Sequence, residues 1–339
     1  MKPSITNSSD FLFIYEAIQS NPNGDPDQEN KPRMDYDTKT NLVTDTRVKR
    51  FIRDYLKVIH EEEVVFVDME GDSKVSVESK MEAVVKRTIE NEGELKKAFE
   101  NNPEALEVYE DIIAKEKDAE GVWKAISDKK FKQKEVNYEL LAYLVKEKFI
   151  DIRMFGSAFA VGGFTKAYTG PIQLNWGYSF NKVEIMDSST IVTTMGDKDG
   201  NSGFGKDYRV HYSLLGFNGT INTPAAKTTG LTDEDVTEFR KAIWESIPAS
   251  PTRSKLNQYP KLYLEIVYNE GVSNGQFGDL RNFVETDPKE GKSDKQVRKF
   301  KDLKIDLNAL KKLISDDKNG DKKIKEVIVK TSVDFDFSL

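Results

Sequence analysis

The feature that most restricts this chain is a change of hydrophobic period along its length. Alternating, strand-type patterns lie before residue 68 and after residue 150, and helical spacing fills the interval. Phe11–Ser20 sets Phe11, Phe13 and Tyr15 against Leu12, Ile14 and Glu16. Val64–Asp68 and Gly170–Phe180 read as further strands. Residues 70–148 are rich in Glu, Lys and Ala, with apolar residues at helical intervals, as in Leu140, Leu141, Leu144 and Val145. The pattern predicts an α+β domain formed by residues 1–68 and 150–339, interrupted by a helical insertion at 69–149 with a solvated outer face.

Local signals give the order of elements. The first strand runs into Asn21-Pro22-Asn23-Gly24-Asp25-Pro26-Asp27, a stretch dense in turn formers. After a loop to about Val43, Thr44 or Asp45 caps a helix that continues to about Ile59. Val48, Phe51, Ile52, Tyr55, Leu56 and Ile59 form its apolar stripe. Lys49, Arg53 and Lys57 recur at every fourth position on another face, with Arg47 and Arg50 beside them, against only Asp45 and Asp54. Ser188–Met195 and Tyr208–Gly216 read as a strand and its return around a glycine-rich tip, a protruding hairpin at about 188–217. Thr232–Asp235 opens a helix to Ile247 with capping-box character. Lys261–Tyr268 is a strand, 269–300 is loop-like, Leu303–Ile314 is helical, and the tail alternates again from Val327. This order fits a ferredoxin-like, RRM-like sheet carrying insertions, although periodicity alone fits other α+β folds as well.

Composition removes several function classes. There is no cysteine, so disulfide staples, thiolate zinc sites and a cysteine nucleophile are excluded. His60 and His211 are the only histidines, which argues against a histidine triad or a multi-histidine metal site. No apolar run approaches the roughly 20 residues that span a bilayer, and Phe11–Ile18 is interrupted by Glu16. A soluble cytoplasmic protein without a membrane partner is expected. The net charge of −7 opposes a nucleic-acid partner unless a local basic surface supplies the field.

The basic helix face is such a surface. Cations at i, i+4 and i+8 can follow a phosphate backbone, although plain solvation is the commoner meaning of such a face. Tyr15 and Asn23, near the strand end, suit contacts to sugars or bases. Asp25, Asp27, Asp35 and Asp37 could hold magnesium for RNA cleavage; turn chemistry, with Lys31 and Arg33 as partners, is the simpler account. Two stretches imitate a calcium loop. The one from Asp197 has Ser202 and Tyr208 at the diagnostic sixth and twelfth positions, and the one from Asp317 has Lys322 and Ile328, so both fail. Arg153, in Asp151–Ser157, could serve an acid or a phosphate. Lys206, Arg209 and His211 fall on the returning side of the hairpin, with Met195 and Phe204 near its tip. A bulky apolar group there either separates stacked bases or merely packs.

Taken together, these segments resemble the Cas-seven family of CRISPR proteins, in its type I-B branch with similarity to I-C. The stretches that carry the resemblance are Asn21–Asp27, Lys31–Asp35, Leu42–Tyr55, Asp151–Phe159, Thr169–Gln173 and Gly203–Asn222. They follow the family's order over roughly the first two thirds of the chain. The resemblance implies an RRM-like (ferredoxin-like) palm, helical fingers from the insertion and a β-hairpin thumb. It implies head-to-tail assembly of copies along a crRNA within Cascade, beside other Cascade subunits, with target DNA read through pairing to the guide in antiviral defence. By position, Thr44, Thr46, Lys49, Arg50 and Arg53 would contact RNA phosphates, and Asn23 and Arg33 would line the strand-end groove. Arg153 and Gly156 would approach the backbone on the far side of the palm. Met195 or Phe204 would be the thumb wedge, with Arg209 and His211 in the same RNA interface. Type I members are not expected to cut, so no catalytic residue, cofactor or metal is assigned. A metal-dependent endoribonuclease using the loop aspartates, and a protein that assembles without nucleic acid, are the rival readings.

Overall fold

The computed structural model describes residues 3–60, 64–67, 76–116, 118–187, 189–196 and 202–338, with side chains undescribed at 77, 92, 192–196 and 202–204. The chain is a mixed α/β protein that divides into two compact units. One comprises Met1–Ile5, Leu56–Pro171 and Thr223–Phe239, and the other Thr6–Tyr55, Ile172–Asn222 and Arg240–Leu339.

The second unit is built on an antiparallel sheet. Its strand order is Ile324–Thr331, Gln258–Tyr268, Ser9–Ser20, Val210–Ile221, Gly177–Ser179, Thr40–Val43 and Met34–Asp35, with Ile172–Leu174 also paired to Val210–Ile221. Ser9–Ser20 is central, paired on both sides, and nearly every residue in it is buried. Its odd positions place Phe11, Phe13 and Tyr15 on one face, where Phe11 stacks on Tyr263 and Tyr15 on Phe217, at centroid separations of 5.7 and 5.9 Å. The helix Asp45–Ile59 buries Val48, Phe51, Ile52 and Tyr55, as its period requires. The hydroxyl of Tyr55 donates to Glu245 of the helix Asp233–Ala249, and Arg240 of that helix reaches Glu265 of the sheet. Val58 and Ile59, at the end of the basic helix, are exposed, so the apolar stripe stops one turn earlier than its spacing suggests.

The opposite face carries Leu12, Ile14, Leu214, Leu262, Leu264 and Ile266. It packs against Leu280, Val297, Phe300, Leu303, Leu307, Leu310 and Ile314. Glu16, which interrupts the apolar pattern, is paired there with Lys261 at 2.8 Å, and Lys261 also binds Asp334. Lys261 is the extra residue of a bulge opposite Ile14 and Tyr15, which turns it onto the face of Glu16. Both faces of this sheet are therefore covered.

The other unit has its own core, including Met81, Val85, Phe99, Tyr109, Trp123, Leu140, Phe149 and Phe164. Side chains of Ser76, Asn91, Asn102 and Asp118 cap four successive helices: Val77–Glu90, Glu92–Ala98, Pro103–Lys115 and Ala119–Ser127. The helical period of the sequence is thus matched by explicit start signals.

Several expected elements differ. Val64–Val67 is not a strand: the buried carboxylate of Asp151 accepts the N–H groups of Phe66 and Val67, at 2.8 and 3.1 Å, in place of a ladder. The strand expected over Gly170–Phe180 is two short strands broken at Asn175 and Trp176. Leu303–Asp306 is a strand, and the helix begins only at Asn308. The hairpin pairs Thr190–Gly196 with Ser202–Lys206, with Val192 opposite Phe204. Val210–Ile221 is not the hairpin's return but a central sheet strand, because it is apolar enough on both faces to be buried between Ser9–Ser20 and its other neighbours. Among the described residues no helix is long and apolar enough to cross a membrane.

Candidate nucleic-acid interface

The first strand ends at Ser20, and the following turn is fastened to the start of the basic helix. The amide oxygen of Asn23 accepts from the backbone N–H of Thr44 at 2.8 Å and from its hydroxyl at 3.0 Å. With that proton committed, the Thr44 oxygen receives from Thr46, 2.9 Å away, and from the N–H of Arg47, 3.3 Å away. Thr44 caps the helix, and Asn23 holds the cap. The backbone N–H of Arg33 donates to the carbonyl of Asn23 at 3.0 Å. The Arg33 guanidinium lies 3.3 Å from Asp25 and 5.9 Å from the ring centre of Trp176.

The helical cations carry acids of their own. Lys49 Nζ is 3.0 Å from Asp45 and 3.3 Å from the amide oxygen of Gln173, with only 11% of its side chain exposed. Arg50 pairs with Asp54 at 2.8 Å, and Arg53 is half-buried. Pairs of this i, i+4 kind are worth only about 0.3–0.5 kcal/mol, so an incoming phosphate competes with them on favourable terms.

Sequence reasoning missed the other half of the cluster. The loop 250–257 is sewn to the strand end: Asn21 N–H donates to Ser254 O at 2.8 Å and Ile18 N–H to Asn257 O at 2.9 Å. Lys255 Nζ donates to the carbonyl of Asn21. Burial, reinforced by the positive charge of Arg47, brings the Lys255 ammonium down from an ordinary 10.5 to about 7. Arg47, whose guanidinium lies 3.9 Å from the ring centre of Phe51, is also lowered, chiefly by burial. The same stretches hold buried polar atoms without a hydrogen-bond partner: Tyr15 Oη, Ser20 Oγ, Asn21 Oδ1, Arg33 Nε, Arg47 Nε and Gln258 Oε1. Leaving such groups unsatisfied costs about 1–3 kcal/mol each, and a polar ligand or water relieves that cost. The only signal in the sequence was Arg253-Ser254-Lys255 after a proline-broken helix end, which has no period to read.

Arg209 lies at the base of the sheet strand and not on the hairpin. It pairs with Asp207 at 2.8 Å and donates to the carbonyls of Gln19 and Arg253, each at 3.0 Å, so it staples the same strand end. His211 likewise belongs to the sheet strand; burial, followed by the charge of Arg298, lowers its pKa. Met195 and Phe204 fall within the paired strands of the hairpin, and their side chains lie outside the described ones. The loop carboxylates are used in turns. Asp25 accepts from Asp27 N–H at 3.2 Å and pairs with Arg33, while Asp35 accepts from the N–H groups of Asp37 and Thr38, and its bonds with Thr38 lower its pKa.

Arg153 and Gly156 belong to the other unit, where both have internal partners. Asp235 takes the Arg153 guanidinium through two bonds of 2.9 and 2.8 Å, and Lys146 O takes a third. Gly156 has φ +76°, and a Cβ on it would lie 2.2 Å from Tyr168 O and 2.4 Å from Gly170 N. Gly156→Ala is therefore expected to destabilise this unit by about 2–4 kcal/mol, from backbone strain and overpacking together. Urea unfolding of wild type and variant measures the loss, and an unchanged midpoint would refute the packing account.

The structure is thus that of a mixed α/β protein with both faces of its sheet covered and several cations fastened at one strand end. The family model described as CRISPR-associated protein Cas7 matches residues 7–308, and the chain belongs to that family. It is 28% identical over 309 residues to a CRISPR-associated protein Cas7 of Haloferax volcanii, covering 90% of this chain and 82% of that one. Looser likeness in chain trace is found to a chain of a CRISPR RNA-guided surveillance complex, pre-nicking (13% identity, TM-score 0.46, covering 78% of this chain and 79% of that one). A chain of a second CRISPR RNA-guided surveillance complex is also similar (13% identity, TM-score 0.39, covering 79% and 72%).

Proposed function

We propose that this chain is a non-catalytic RNA-binding subunit of the type I-B kind that repeats head to tail along a crRNA and presents the guide for pairing with target DNA. It would act in the cytoplasm with other Cascade subunits in antiviral defence. Membership of the Cas7 family supports this reading. The observation that carries it is the convergence of Arg33, Arg47, Arg209, Arg253 and Lys255 on the Ser20 end of the first strand, beside buried polar atoms that lack partners, with Lys49 and Arg50 further along the helix whose cap Asn23 holds.

The order Gln258–Tyr268, Ser9–Ser20, Val210–Ile221, Gly177–Ser179, with the helices Asp45–Ile59 and Asp233–Ala249 between strands in sequence, supports reading this unit as an RRM-like palm. An RRM stacks bases on its open sheet face. Here residues 280–314 cover that face, which leaves the strand ends for the RNA. In this reading residues 69–149 are the fingers, the hairpin is the thumb with Met195 or Phe204 as its wedge, and Arg153 and Gly156 serve a second face. Extraction and sequencing of the nucleic acid that co-purifies tests the proposal: guide-length CRISPR transcripts are expected. Protein free of nucleic acid, with no affinity for such transcripts at physiological salt, would end it. Assemblies that persist after nuclease treatment would favour self-association without RNA, and magnesium-dependent cleavage lost with Asp25 or Asp35 would favour the nuclease.

Lys255 gives the interface a pH dependence. Its folded pKa, about 7, lies below the ordinary 10.5. Between these values the unfolded chain holds a proton here that the folded chain lacks, so this group's contribution to stability rises with pH through that window. A bound phosphate favours the charged amine, so binding takes up a proton above pH 7. Affinity for single-stranded RNA is expected to fall by up to about tenfold per pH unit from pH 7 to ~9. Lys255→Met should flatten that slope in filter-binding titrations, and a slope shared by wild type and variant would place the proton elsewhere.

A further inference from the structure

Trp176 is one of the two residues at which the strand expected over Gly170–Phe180 is broken, and it is 50% exposed. Single exposed aromatics are common, but the backbone that carries this one is held in place. Its carbonyl accepts from Arg281 Nη1 at 2.7 Å. Arg281 is only 7% exposed, is clamped by Asp279, and lies 4.2 Å from the ring centre of Tyr178. The next residue, Gly177, sits so close to the Phe217 ring that a Cβ would approach it to 2.3 Å. On its open side Trp176 meets the Arg33 guanidinium, whose Nε is a buried donor with no partner. Three residues before it, Gln173 accepts from Lys49 of the cationic helix. An exposed indole on an anchored backbone, a guanidinium over it and the cationic helix nearby suit one chemistry: a flat aromatic ring carrying acceptor edges, attached to a polyanion.

We propose that Trp176 and Arg33 form a stacking platform for an unpaired base of the bound single strand. This rests on the RNA-binding reading above and adds a base contact to it. Stacking of a base on an aromatic side chain is insensitive to sequence and strong enough to move affinity by about tenfold or more. The full chain, stripped of nucleic acid, is titrated with single-stranded oligoadenylate and with an abasic oligomer of equal length, following tryptophan fluorescence and affinity. Of the three tryptophans, Trp123 is buried, Trp244 is partly buried with Lys330 4.9 Å from its ring centre, and Trp176 is the exposed one, so oligoadenylate is expected to quench the fluorescence and W176A to remove that quench; the abasic strand should not quench. W176A should weaken oligoadenylate binding about tenfold while leaving abasic binding and the salt dependence unchanged, and W176F should recover most of the loss, which separates stacking from misfolding. Equal behaviour of the two oligomers, or of W176A and wild type, overturns the platform and leaves the RNA-binding reading standing. Failure of both oligomers to bind overturns both.

Discussion

Glu265→Ala is expected to lower the stability of the sheet unit by about 3–5 kcal/mol, the cost of stranding the partner of a buried ion pair. Glu265 is fully buried. It accepts from Arg240 through bonds of 2.7 and 2.9 Å, from Tyr263 Oη at 2.7 Å and from Ser9 Oγ at 2.6 Å. Burial acts to lower the Arg240 pKa, but the carboxylate outweighs it and the net shift is upward. Removing the acid therefore leaves a cation and two hydroxyls without their acceptor on the face that joins helix to sheet. For a unit of this size each kcal/mol moves the melting temperature by about 2–4 °C, so a fall of roughly 6–20 °C should appear in calorimetry or circular dichroism. Replacing both partners, with Glu265→Leu and Arg240→Met, should recover a good part of the loss, because an apolar pair needs no solvation. A single variant that melts within a degree or so of wild type would show that the pair contributes little.

The second large effect concerns binding. Simultaneous replacement of Lys49, Arg50 and Arg53 by alanine is expected to weaken RNA binding by about two orders of magnitude near physiological salt and to reduce the log–log salt slope by about 2, at roughly 0.7 per phosphate contact on a single strand. Two consequences add. The cations are lost, and Asp45 and Asp54, which the structure pairs with Lys49 and Arg50, are left facing the phosphates. Replacing Lys301, Lys304 and Lys312, all exposed, makes the same change in net charge and should leave the slope almost untouched. RNA retained by the first variant as by wild type would remove the helix from the interface.

What the sequence made legible follows from physical range. The basic helix could be read because its stripe is periodic and its cap, Thr44, is adjacent to it. That Asn23 holds the cap is a contact across 21 positions, and only the fold reveals it. Val64–Val67 has the composition of a strand, yet Asp151, some 85 positions later, takes its donors. Arg153 could serve an acid or a phosphate until Asp235 appeared beside it, 82 positions away. The hairpin boundary failed for a related reason: alternation looks the same in a two-stranded ribbon and in a sheet strand, and what distinguishes Val210–Ile221 is burial on both faces. Lys255 left only the bare run Arg253-Ser254-Lys255, since an aperiodic loop gives no hint of what will bury it.

The sheet ends on Ile324–Thr331, which pairs with Gln258–Tyr268 on one side and with no other strand among the described residues. An open ladder edge invites the edge of a neighbouring molecule, and under the head-to-tail assembly proposed above each copy would meet such edges repeatedly. Lys325, Glu326 and Lys330 stand exposed along this strand. Joining two such edges would strip water from these charges, a cost that favours separation. Pairing of this edge with the same edge of a second copy into a fibre is thereby disfavoured.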